Sequence, residues 1–295
     1  MSKVKILAIG EIIWDVYPDK KAIGGAPFNF AAHAVLQGAE STLISAVGKD
    51  ALGTQAIEAL KEFGIDHHFV QSNTYPTGQC IVTLDENAIP HYNVLREVSY
   101  DKITYSDEML TTLENGQFDA FYFGTLIQRD AVTRQTVREL VRRCRFSNIV
   151  CDVNLRPDCY DAESVKFCLE SATVLKVSLE EESLLREVAG YRLDGDTPEA
   201  IAKALCRAYP QLSVVIVTLG KDGSYAYCAA DRIDCYQEAI GNKVVSTVGA
   251  GDSFTATWMT NYLQGKPLAE CMKEAARISG IVVAHLPAVP KEYLK

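Results

Sequence analysis

Val245-Ser246-Thr247-Val248-Gly249-Ala250-Gly251-Asp252-Ser253-Phe254 sets a Gly-Ala-Gly turn immediately before an acidic residue. From Ser253 to about Leu263 the residues read as a helix, so the turn falls at a helix N-terminus. Small residues let successive backbone N–H groups approach an anion closely, and the helix end adds partial positive charge at the same point. Asp252 is a poor anion ligand there but a good acceptor for the proton of a hydroxyl that attacks the anion. A nest for negative charge beside a base is what phosphoryl transfer to an alcohol requires. The plainer reading of these residues is a tight turn followed by an aspartate that complements the helix dipole. The ten residues alone leave both open.

The pattern around this stretch decides the fold class. Strand-length apolar runs (Val4–Ile9, Thr42–Val47, Ala120–Phe123, Ile149–Val153, Val174–Val177, Val214–Thr218) alternate with helix-period segments (Phe28–Leu36, Leu52–Phe63, Ala131–Cys144, Val165–Ser171, Leu179–Val188, Ala200–Ala208). Ser253–Leu263 and Leu268–Ala284 close the series. Continuous apolar strands separated by amphipathic helices predict an α/β chain with a mainly parallel sheet covered on both faces. Ligands are then expected at the carboxyl ends of the strands. Two stretches interrupt the rhythm. Residues 11–25 mix polar and aromatic side chains. Residues 78–96 alternate as two strands, Cys80–Leu84 and His91–Leu95, around a turn at Asp85–Pro90. Together they are expected to form a small β lid over the ligand edge of the sheet. A surface hairpin or an oligomer contact is the alternative, and a homodimer joined through the lid would satisfy both. No internal repeat or linker is seen, so residues 1–295 read as one domain.

Composition narrows the partners. The chain has 295 residues, is 48% apolar and carries a net charge of −9, which allows a large core. Its basic residues are scattered, with Arg142, Arg143 and Arg145 the densest group. An acidic chain without a basic face argues against nucleic acid or an anionic membrane as main partner. No apolar run approaches the roughly 18 residues of a membrane span, and Val4–Ile9 is too short for a signal sequence. Nine cysteines, odd in number and never spaced C-x-x-C, point to reduced thiols and a cytoplasmic location. There is no G-x-x-x-x-G-K-[ST], which removes the P-loop kinases, and no G-x-G-x-x-G after the first strand, which counts against a dinucleotide-dependent dehydrogenase.

Four further motifs join the late one. Gly24-Gly25-Ala26-Pro27-Phe28-Asn29-Phe30-Ala31 combines close backbone approach with an amide that can donate and accept, which suits a polyol. Asp152-Val153-Asn154-Leu155-Arg156-Pro157, Lys176-Val177-Ser178-Leu179-Glu180-Glu181 and Val217-Thr218-Leu219-Gly220-Lys221-Asp222-Gly223 each follow or end an apolar strand. In this order and at these separations the five motifs resemble the ribokinase-like (PfkB-type) carbohydrate kinases, and among them the fructokinases, over nearly the whole chain. The resemblance implies a three-layer α/β/α fold and an ATP-dependent sugar kinase. It implies Asp252 as catalytic base and Gly249, Ala250 and Gly251 as the anion hole. Asp15, Gly24, Gly25 and Asn29 are implied to hold the sugar, with Arg156 at an anionic group or the lid and Arg96 near the substrate. On the nucleotide side it implies Lys176, Ser178, Thr218, Gly220 and Gly223, with Glu181 organising Mg²⁺ through water. Each has a plainer reading: turns for the glycines, helix caps for Asn29 and the Glu180–Glu182 run, a solvated strand end for Lys176.

Three positions depart from the family pattern. Ser246 stands where an aspartate usually opens the late motif, Ser178 where asparagine often begins the magnesium motif, and His285-Leu286-Pro287-Ala288-Val289-Pro290 where a Gly-Ala loop is common. The first and third bear on a monovalent-cation site, so weak or absent potassium dependence is the expectation. Fructose is the expected acceptor. Ribose, 2-keto-3-deoxygluconate or a nucleoside is the alternative, and a non-catalytic sugar sensor is a reading from a different class.

Overall fold

The computed structural model describes residues 3–84, 90–241 and 243–290. Its strands are β1 (Lys5–Ile9), β2 (Ile13–Val16), β3 (Lys21–Gly24), β4 (Glu40–Gly48), β5 (Val70–Asn73), β6 (Gly78–Leu84), β7 (Pro90–Val94), β8 (Ala120–Gly124), β9 (Asn148–Asp152), β10 (Val174–Ser178), β11 (Val214–Thr218), β12 (Ser224–Cys228) and β13 (Ile233–Gln237). They form a large sheet in the order β13-β12-β11-β10-β9-β8-β1-β4-β5 and a small one in the order β3-β2-β6-β7. From β11 to β5 every pair in the large sheet is parallel, and only the pairs β11–β12 and β12–β13 are antiparallel, so β12 alone is reversed.

Side chains on a strand alternate between faces, and both faces here are apolar. Leu7, Ile9, Phe121, Phe123, Leu175, Val177, Val215 and Val217 pack on one side against Leu110, Val137, Leu140, Val165, Leu185 and Leu205 of the covering helices. Ile6, Ala8, Tyr122, Val150, Val174, Val214 and Ile216 pack on the other against Phe28, Phe30, Leu60, Trp258, Met259 and Met272. Helices therefore cover the parallel sheet on both sides, as the apolar rhythm predicts, and the helices and strands read from that rhythm fall within a few residues of their observed bounds. The helix expected from Ser253 begins earlier, at Ala250, and runs to Leu263. The periodicity did not reveal the edge strands β5 and β13 or the helix Asp107–Asn115. All three are short and carry many polar residues, so no apolar run marks them.

Both interruptions of the rhythm enter the small sheet. Residues 11–25 form the hairpin of β2 and β3, turning where Tyr17 N donates to Lys20 O (2.8 Å). Residues 78–96 supply β6, parallel to β2, and β7, antiparallel to β6. The turn expected at Asp85–Pro90 has residues 85–89 outside the described residues. Among the described residues no helix is long and apolar enough to cross a membrane.

Candidate active site

The site gathers at the carboxyl ends of the parallel strands, where the helix Ala250–Leu263 begins. Gly249 caps that helix with φ 79°, a left-handed conformation that costs any other residue strain. A Cβ there would also lie 2.4 Å from the Cβ of Ala288. The C-terminal loop thus presses on the turn, and His33 holds the loop through a contact from Nε2 to Ala288 O (3.1 Å). Ser253 N makes the first intrahelical bond, to Gly249 O (2.9 Å), so Gly251 and Asp252 precede the hydrogen-bonded ladder.

Asp252 is buried, and Asn29 Nδ2 donates to its Oδ2 (2.8 Å) across 223 residues of chain. This leaves Oδ1 as the atom that can take up a proton. Burial pushes the Asp252 carboxyl up to about 6, against the Asn29 hydrogen bond and with Asp152 adding to the rise; Lys176 and Arg156 oppose it. A carboxylate in that range is a competent base near neutrality.

Lys176 does not have the solvated strand end of its plainer reading. It is 7% exposed, its Nζ meets Asp152 Oδ1 at 3.0 Å, and the same Nζ lies 3.1 Å from where a Cβ on Gly251 would sit. The ammonium is therefore lodged between a buried carboxylate and Gly251; burial works against its charge, and Asp152 and Glu181 more than offset that.

Asp15, on β2, faces the same space. A Cβ on Gly24 would lie 3.5 Å from Asp15 Oδ2 and 3.9 Å from Asn29 Nδ2, so these three residues converge. Gly25 has φ 105°, and a Cβ on it would meet the carbonyl oxygen of Glu11 at 2.4 Å. Asn29 Oδ1 is buried without a hydrogen-bond partner among the described residues, an acceptor that a ligand hydroxyl can satisfy. Burial raises the Asp15 carboxyl to about 6 and the Arg156 guanidinium works against that rise. Arg156 itself is exposed on the loop after β9, where Asn154 and Asp158 both have positive φ.

Other predicted residues lie where their plainer readings also hold. Glu181 accepts from Leu155 N (2.6 Å) and Ser178 N (2.8 Å), so its carboxylate closes the capping box of the helix Leu179–Ala189 and ties that helix to the loop after β9. Thr218 pairs in register with Ser178, which puts the ends of β10 and β11 side by side. Gly220 is exposed with φ 59°, whereas a Cβ on Gly223 would meet Gln237 O at 2.2 Å, so strand packing alone demands that glycine. Arg96 is exposed, and its guanidinium donates to the carbonyl of Asp158, fastening the end of β7 to the loop after β9.

Among the described residues no cluster of three or more His, Cys, Asp or Glu side chains forms a metal cage. Glu181 nonetheless suits a largely hydrated Mg²⁺, because each carboxylate oxygen keeps a lone pair after accepting one backbone N–H. The motifs assigned no role to two buried acids, although Asp152 opens one of the motifs. Glu11 follows β1 and Asp152 ends β9, and each is a lone carboxylate at the end of an apolar run. In a parallel α/β sheet that placement is itself a signal.

The pfkB family carbohydrate kinase pattern matches residues 5–290, so the chain belongs to that family and is a sugar kinase, a phosphotransferase with an alcohol acceptor. An ATP-dependent 6-phosphofructokinase of Thermoanaerobacterium thermosaccharolyticum is 27% identical, with 97% of this chain and 90% of that protein aligned. A putative sugar kinase of Pyrococcus horikoshii, PH1459, is 30% identical over 86% of this chain and 77% of its own length. The crystal structure of fructokinase with bound ATP from Xylella fastidiosa superposes with a TM-score of 0.82 at 18% identity, over 98% of this chain and 97% of that one. The ribokinase-like three-layer fold with a small β lid is thereby borne out.

Proposed function

We propose that the chain transfers the γ-phosphoryl group of ATP to a hydroxyl of a neutral sugar, with fructose giving fructose 6-phosphate as the preferred reaction. The carrying observation is the buried Asp252 carboxylate, held by Asn29 at 2.8 Å in the first turn of the helix that the Gly249-Ala250-Gly251 turn opens. The acceptor hydroxyl gives its proton to Asp252 Oδ1 as its oxygen bonds to the γ-phosphorus. The bond from that phosphorus to the β,γ-bridging oxygen breaks, and ADP leaves. The transferring group's charge faces the N–H groups at the helix start and the Lys176 ammonium, which need no reorganisation during the step. Asp15, Gly24, Gly25 and Asn29 position the acceptor, Arg156 bounds it, and Arg96 acts through the loop after β9. Thr218, Gly220 and Ser178 lie on the nucleotide side. Mg²⁺ organised by Glu181 through water would neutralise the nucleotide phosphates.

The acceptor side supports a neutral polyol. Asp15 and Asp252 put two carboxyl groups on that side, and the exposed guanidinium of Arg156 bears on both. A phosphorylated or carboxylated sugar brings like charge to that surface. The test is ADP release from Mg-ATP over fructose, fructose 6-phosphate, ribose, tagatose, 2-keto-3-deoxygluconate, adenosine and inosine. Highest turnover with fructose supports the reading. Preference for an anionic acceptor replaces the substrate and keeps the chemistry, and binding without turnover leaves a sugar sensor.

Two further expectations belong here. Exchanging sodium for potassium at constant ionic strength should change the rate less than about twofold, since Ser246 lacks the carboxylate and Pro287 and Pro290 stiffen the adjoining loop. A several-fold rise overturns this. A homodimer joined through the small sheet, whose edge strand β7 exposes Tyr92, should sediment at twice the 32.4 kDa chain mass. A monomeric boundary at working concentration rules it out.

A further inference from the structure

We propose that Glu11 is a positioning residue of this site, seating the start of the sugar-side helix that carries Asn29 to Asp252. This rests on the reading of Asp252 as the base.

The topology puts Glu11 in a singular place. From β1 the chain proceeds to β4 and β5 on one side of the sheet and returns to β8 on the other. The crevice where connections diverge in this way is the usual ligand site of an open parallel sheet. Glu11 stands at its floor, only 4% exposed. A buried carboxylate normally has a cation in hydrogen-bond contact. No ion pair involves Glu11 among the described residues, and the nearest guanidinium that acts on it, Arg129, is itself committed to Asp101 at 2.8 Å. Burying an acid without a bonded cation is costly, and that cost needs a reason.

Two contacts supply one. Glu11 Oε1 accepts from Ala26 N (3.2 Å), the first residue of the helix Ala26–Leu36, and its carbonyl oxygen closes on Gly25. That helix carries Asn29, which holds Asp252 at 2.8 Å. Glu11, the Gly25–Ala26 turn, Asn29 and Asp252 thus form one mechanical series from the floor of the sheet to the base. Behind them Glu11 and Asp152 line a common cavity of about 10 Å³ with Tyr122, Thr125 and Asn154, room for about one water.

Asp252 is faced by Asp152, Lys176 and Arg156 as well as by the Asn29 amide, and Glu11 by Asp252 and Arg129. Burial lifts the Glu11 carboxyl to about 7, with the charge of Asp252 adding to the rise; Asp252 itself lies at about 6. Asp252 therefore ionises first, and Glu11 is still largely protonated where it does so. What Glu11 supplies to Ala26 N is an acceptor oxygen, which a neutral carboxyl or an amide supplies equally.

The experiment compares wild type, Glu11→Gln, Glu11→Ala and Asp252→Asn, with kcat and KM for the best acceptor followed across the acid and neutral range. Glu11→Gln keeps the acceptor for Ala26 N and removes the ionisable acid. It should melt with the wild type, keep the sugar KM within about twofold, and leave the acid limb of kcat where the wild type has it, because Glu11 is largely uncharged where Asp252 titrates. Glu11→Ala also loses the seat, so its sugar KM should rise about tenfold. An unchanged KM in folded Glu11→Ala, or a Glu11→Gln KM raised as far as that of Glu11→Ala, overturns the seating. Should the alanine variant not fold, Glu11→Met, which fills similar space without the acceptor, takes its place. Full activity in Asp252→Asn would overturn the base assignment itself, a failure distinguishable from that of Glu11.

Discussion

Asp252→Asn is expected to lower kcat by about a hundred- to ten-thousand-fold, the range supplied by a positioned proton acceptor. The substitution removes the basic oxygen and little else. An asparagine at this position keeps the side-chain shape and still offers an oxygen to Asn29 Nδ2, and it relieves the site of a buried charge that is 9% exposed. Folding stability should therefore hold or rise slightly. Nucleotide affinity should change little, because the base acts on the acceptor hydroxyl in the transition state and not on bound ATP. Steady-state turnover with titration of ATP binding by calorimetry checks both halves. A variant with wild-type kcat would end the assignment of Asp252, whereas a variant that has lost ATP binding would make the residue part of the nucleotide site.

Lys176→Met is expected to produce the largest loss of stability. The Lys176–Asp152 pair is almost fully enclosed, with side chains 9% and 1% exposed and a separation of 3.0 Å. Removing one partner leaves the other charge buried and uncompensated, which costs about 3–5 kcal/mol. Asp152 has an escape: its carboxyl is already raised by burial, and Lys176 is the chief group holding that rise down. Without the lysine it keeps its proton to higher pH. A carboxyl whose folded pKa lies above its unfolded value loses stability as pH rises between the two. The deficit of the variant should thus be small in the ordinary carboxylate range and grow as pH rises from there toward neutrality and above. Denaturant midpoints measured along that range test it, and a deficit independent of pH would show that lost packing dominates. The same substitution removes a positive charge beside Gly251, so kcat should fall even where the fold survives.

The large sheet was legible because its strands are buried on both faces and so leave uninterrupted apolar runs, Val214–Thr218 being the clearest. The small sheet was legible as a departure from that rhythm, and its hairpin 78–96 as an alternation. β13 was not, since Ile233-Asp234-Cys235-Tyr236-Gln237 is an exposed edge strand with no buried face to impose a pattern. Within the site, the motifs around Asn29, Lys176, Gly249 and Asp252 were readable because close backbone approach restricts residue type to glycine, alanine or a short polar side chain. Gly223 shows the limit of that reading. The resemblance puts it in a nucleotide-side motif, yet the carbonyl of Gln237 would require glycine there in any case. Glu181 shows another, since its two oxygens do the work of a helix cap whatever else they organise.

Sequence by itself determined the layered parallel sheet, the family and the turn that opens the helix Ala250–Leu263, because these follow from periodicities and steric demands that act over a few residues. Tertiary structure alone decided in what state the acids stand and which further carboxylates, Glu11 and Asp152, are buried beside them. The bond from Asn29 to Asp252 spans 223 residues, the Lys176 ammonium is lodged against Gly251 by the packing of β10 beneath a helix, and Glu11 becomes part of the site only because β1 and β8 lie side by side. Burial and neighbouring charge set the proton affinity of a carboxyl group, and both are properties of where the chain returns to rather than of where it runs.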